Sequence, residues 1–129
     1  MPGGDLSPIV QQFISEHVNS AERLEVLLLL HRQPDRGWRA VDVSKEVYTV
    51  PASATLRLES LVAAGFAASA GGADPEYRYQ PRTPELAAGV DALAAAYRQD
   101  RVKVIKHIFN QPPDPVQSFA DAFRLRGKD

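Results

Sequence analysis

The chain has no cysteine, which excludes disulfides, thiolate nucleophiles and sulfur-ligated zinc together. It also lacks any apolar run near the roughly 20 residues needed to cross a bilayer. The opening Met1-Pro2-Gly3-Gly4-Asp5 has neither the basic nor the apolar region of a signal peptide. The expectation is a soluble, cytoplasmic protein with no membrane partner. Charge of one sign is scarce as well: the net charge is −1 over 129 residues. That is an awkward balance for a nucleic-acid binder, whose affinity comes largely from neutralising phosphates. The distribution is uneven, with 8 Lys/Arg against 12 Asp/Glu in residues 1–96 and 7 against 4 in residues 97–129. No set of residues assembles a catalytic or metal centre. His17, His31 and His107 share no ligand spacing. Asp42 and Glu46 pair on one helix face without a phosphate-binding motif beside them, and Gly3-Gly4 and Gly71-Gly72 have no phosphate-loop lysine. No cofactor, no metal and no enzymatic activity are expected.

What is present is a helix-forming chain long enough for one compact domain. Ser7-Pro8 reads as an N-cap followed by proline in the first turn, opening a short helix through Ile9, Phe13, Ile14 and Val18. Asn19-Ser20-Ala21-Glu22 has capping-box spacing and precedes Leu24, Val26, Leu27, Leu28, Leu29 and Leu30, a helix apolar around most of its surface and therefore central. The loop Gln33-Pro34-Asp35-Arg36-Gly37 ends it, and Trp38 is expected to pack in a brief extended segment beside a later hairpin. Ala40 to Tyr48 reads as a helix, Thr49-Val50-Pro51 as a turn, and Pro51 to Ala64 as a second helix with Ala54, Leu58, Leu61 and Val62 on one face and Gly65 as a left-handed C-cap. Beyond Gly65-Phe66 the period changes from helical to alternating: Tyr77 and Tyr79 flank Arg78, and Gly71-Gly72-Ala73-Asp74-Pro75 supplies a turn. Thr83-Pro84-Glu85 then caps a long helix to about Asn110, with Leu86, Val90, Leu93 and Tyr97 spaced four and three apart as in a dimer seam.

The fold class expected is mainly α: a winged helix-turn-helix with a small antiparallel β-wing and flanking dimerisation helices. The expected division is a helical extension over 1–19, the winged domain over 20–82, a long dimerisation helix over 83–110, and a tail with a short amphipathic helix over 111–129.

On the helix of residues 51–64, Leu61-x-x-x-Gly65-Phe66 and the Gly71-Gly72 hairpin, the chain resembles bacterial winged helix-turn-helix transcriptional regulators of the MarR type over residues 20–82. That resemblance implies a homodimer on double-stranded DNA with residues 51–64 in the major groove. Ser53, Thr55 and Arg57 would then lie nearest the bases, with Arg39, Lys45, Arg78 and Arg82 on phosphates. Arg57 is the only long donor in that helix, Glu59 would read a cytosine amine or repel phosphate, and an exposed Leu56 suits a thymine methyl or a protein surface. The competing expectation is an adaptor whose winged fold contacts a protein partner, since fold does not determine function. An effector cleft is expected where the winged domain meets the late helix. Arg98, Arg101, Lys103 and Lys106 read as a solvated helix flank. Phe119, Phe123 and Arg124 in the tail form a candidate partner-binding peptide.

Overall fold

The computed structural model describes residues 6–111. The tail residues Phe119, Phe123 and Arg124 lie outside the described residues. Among the described residues, six helices and a two-stranded sheet follow one another as α1 (Pro8–His17), α2 (Ala21–Arg32), α3 (Ala40–Glu46), α4 (Pro51–Ala64), β1 (Ala67–Ser69), β2 (Tyr77–Tyr79), α5 (Pro84–Gln99) and α6 (Arg101–Asn110). This is the mainly helical, winged architecture expected, and none of these helices is long and apolar enough to span a membrane.

The start signals of α1 and α5 act where the sequence puts them. Ser7 and Thr83 cap α1 and α5 through their hydroxyls, each with a proline in the first turn. On α2 the cap is Ser20, which accepts from the Arg23 amide at 3.1 Å. The cap therefore sits one residue later than the capping-box spacing implies, and Glu22 is free for another use. Leu24, Val26, Leu27, Leu29 and Leu30 of α2 are buried, and α2 is the central post against which α4, α5 and β2 pack.

Gly65 closes α4 at φ 91°, the left-handed conformation that spares a Cβ clash. The chain then enters the wing, where Ala67, Ala68 and Ser69 pair antiparallel with Tyr79, Arg78 and Tyr77. Trp38 exchanges both backbone hydrogen bonds with Tyr77 at 2.7 Å, adding the expected extended segment as a single bridge. The Trp38 ring is fully buried, with the Arg36 guanidinium 3.6 Å above it.

The late helix departs from expectation, because it is two helices. Asp100 leaves helical geometry at the end of α5, with φ −153° and ψ 79°, and caps α6, accepting from the Lys103 amide at 3.1 Å. An aspartate able to satisfy the first turn of a new helix makes the break favourable. The break turns α6 back onto α1, where Gln111 Nε2 donates to the Val18 carbonyl at 2.8 Å.

Candidate nucleic-acid interface

Helix α4 is held on two sides. Ala54, Leu58 and Leu61 are buried toward α3 and α2, while Pro51, Ala52, Thr55, Leu56 and Glu59 are exposed. The turn before it holds Tyr48 at φ 58°, a conformation costly for a residue with a Cβ, with its side chain 94% exposed. Glycine often stands in such turns.

Ser53 and Arg57 lie one helical turn apart on the flank facing α2 rather than on the outward ridge. Glu22 Oε1 accepts from Ser53 Oγ at 2.5 Å and from Arg57 Nε at 2.9 Å. The Ser53 hydrogen bond, followed by those from Arg57 and Thr49, holds the Glu22 carboxyl below its ordinary value against the opposing effect of burial. Of the three residues expected nearest the bases, only Thr55 is on the open face. Nothing in the spacing of α4 reveals a carboxylate on another helix, so Glu22 is the partner of Ser53 and Arg57 that sequence reasoning missed. Its neighbour Arg23 is 8% exposed and donates to the His17 carbonyl at 2.5 Å and to Ser60 Oγ. Burial, then repulsion from Arg57, lowers its pKa.

The four cations expected on phosphates differ in their surroundings. Lys45, Arg78 and Arg82 are exposed, with no carboxylate at ion-pair distance among the described residues. Arg39 reaches across to the wing, where Asp74 Oδ2 lies 3.7 Å from its Nε. The Glu59 carboxylate accepts the Tyr77 hydroxyl, and burial together with that carboxylate pushes the tyrosine up to about 12.

The dimer seam requires correction. Val90 and Leu93 have no exposed surface, and Leu86 and Tyr97 pack against the same internal core. Their four-three spacing is the ridge that α5 turns into the chain's own core, with α1 packed beside it on the Gly89 flank, so Val90 and Leu93 cannot touch a second copy directly. Gly89 makes the approach possible: a Cβ there would lie 2.4 Å from the Phe13 ring. The exposed apolar side chains at this end are instead Ile9, Val102 and Phe109 of α1 and α6.

His17 stacks among Phe13 and Phe66, with ring centroids 4.9 and 5.2 Å away, and His31 bonds to Asp91 at 2.8 Å. No group of three His, Asp or Glu among the described residues converges as a metal site. A cleft of about 140 Å³ opens where the winged part meets α5, lined by Glu25, Leu28, Arg32, Glu46, Val47, Tyr48 and Tyr97.

No protein-family profile matches the chain. No curated protein matches it either. Solved structures do. BpsR of Bordetella bronchiseptica, whose DNA binding is regulated by 6-hydroxynicotinic acid, aligns over 93% of this chain and 82% of its own at 23% identity and TM-score 0.54. A mutant S. aureus MepR bound to an oligodeoxyribonucleotide aligns over 91% and 83% at 12% identity and TM-score 0.55. The multiple antibiotic-resistance repressor MarR of Listeria monocytogenes aligns over 93% and 78% at 17% identity and TM-score 0.51. The fold is that of the MarR-type winged-helix regulators.

Proposed function

We propose that the protein is a DNA-binding transcriptional regulator that acts as a homodimer, with α4 in the major groove. The observation that carries this reading is an exposed, rigidly backed α4 flanked by a β-wing and by the exposed cations Lys45, Arg78 and Arg82, which have no ion-pair carboxylate among the described residues. The likeness to MepR bound to an oligodeoxyribonucleotide and to BpsR supports it. Self-association would cover the exposed Ile9, Val102 and Phe109. Three phosphate contacts on each of two protomers give a salt slope of about −5 and a loss of about a thousandfold in affinity between 50 and 200 mM salt.

Titration of random and genomic duplexes at those two salt concentrations tests the proposal. Arg78→Ala should weaken every duplex alike and flatten the slope by about 1 per contact removed. Absence of duplex binding at low salt would end the reading. A second reading has its own observation: Leu56 is 71% exposed and Tyr48 94% exposed, an apolar surface suited to a protein-contact adaptor. That adaptor would show no salt-dependent retention on bulk DNA.

A further inference from the structure

The polar groups of α4 divide into those already engaged and those left over. Arg57 is the only Arg or Lys between Pro51 and Ala64, and its Nε is held 2.9 Å from Glu22 Oε1, which also takes the Ser53 hydroxyl at 2.5 Å. A charge-assisted bond to a carboxylate is roughly twice as strong as a neutral one, so it tethers Arg57 through Nε on the α2 flank, away from the outward ridge, and leaves only the Nη donors for any other partner. The side chains left on the open face are mostly small or apolar, and Leu56 stands 71% exposed among them. Glu59, the one charge there, already accepts the Tyr77 hydroxyl. Apolar contact in the major groove selects the C5-methyl of thymine, the one hydrocarbon group a base edge presents.

Resting on the reading of α4 as a major-groove helix, we infer that Glu22 tethers Arg57 on the α2 flank and leaves discrimination to Thr55 and Leu56, which take thymine methyl groups. Base preference is then set by what α2 removes from the interface as much as by what α4 presents. Recognition of this kind needs no long donor on the open face, and none is there.

The test uses the full chain and a duplex selected by it from a random pool, alongside the same duplex with uracil in place of thymine. Each methyl taken up should cost about fourfold in affinity when removed. Leu56→Ala should cut the thymine-to-uracil ratio by about the fourfold of one methyl, a larger change than in its affinity for the uracil duplex. Arg57→Ala should leave both affinities within about twofold. Glu22→Gln should strengthen binding to both duplexes and steepen the salt slope by about 0.9 per protomer, a gain that Arg57→Ala in the same chain removes. A purely structural Glu22 would leave the slope unmoved. Equal binding to thymine and uracil duplexes, or a large loss from Arg57→Ala alone, would overturn the inference while leaving DNA binding intact. Failure to select any duplex would remove the proposed function with it.

Discussion

Gly89→Ala is the sharpest perturbation of the scaffold, because two opposing magnitudes meet at one atom. In an ordinary helix interior, alanine is favoured over glycine by about 1 kcal/mol. Here the added Cβ would lie 2.4 Å from both Cδ1 and Cε1 of Phe13, so the ring must move by about 1 Å to reach ordinary contact. The ring has little room, being buried between His17 and Phe66 with centroids 4.9 and 5.8 Å away. Overpacking of this kind costs about 1–3 kcal/mol. Set against the propensity gain, the net effect is a destabilisation of about 1 kcal/mol, or a fall in Tm of about 3–5 °C for a chain of this size. Thermal unfolding by circular dichroism measures it. In a Phe13→Leu background the clash is relieved and the propensity gain returns, so the two changes should couple by at least about 1 kcal/mol in a double-mutant cycle. A rise in Tm on Gly89→Ala alone, or strict additivity with Phe13→Leu, would refute the packing argument.

Tyr48→Gly should raise stability by about 0.5–1 kcal/mol, because relief of a left-handed conformation at φ 58° exceeds the extra chain entropy of glycine and the exposed side chain gives up no packing; urea unfolding checks it, and a loss would show that the turn is unstrained. Burial, reinforced by Arg23 and opposed by Glu16, lowers the pKa of His17 from its ordinary 6.5. The unfolded chain therefore takes up that proton first, so stability should fall as pH drops below about 6.5 and level off below the folded pKa. His17→Gln should remove that part of the pH dependence in denaturant titrations at stepped pH.

Much of the fold was legible because local chemistry specified it. Ser7-Pro8, Pro51, Gly65 and Thr83-Pro84 mark element ends in the sequence, and the structure uses each of them so. The apolar girdle of α2 marked the centre of the core. What escaped was non-local or ambiguous by period. The Leu86, Val90, Leu93, Tyr97 spacing is equally that of an intermolecular seam and of an intramolecular ridge, and only what packs on that face in the folded chain decides between them. Asp100 is a residue a helix can carry on its surface, and its use as a cap depends on α6 finding α1. Glu22 sat one place away from the role its spacing implied; once Ser20 took the cap, its carboxylate met Ser53 and Arg57, 31 and 35 residues on. Side-chain partners at that separation leave no periodic trace.

The return of α6 onto α1 has a kinetic meaning. It stitches Gln111 to Val18, 93 residues apart, so this seam can form only after most of the chain has been gathered. The entropy of closing so large a loop must be spent before any contact rewards it. Closure through so long a loop predicts that this seam forms late and opens before the α2 post beneath it, an order that hydrogen exchange reads directly. A second copy seated across α1 and α6 would act as a latch on that fraying edge, making the persistence of the folded chain depend on its own concentration.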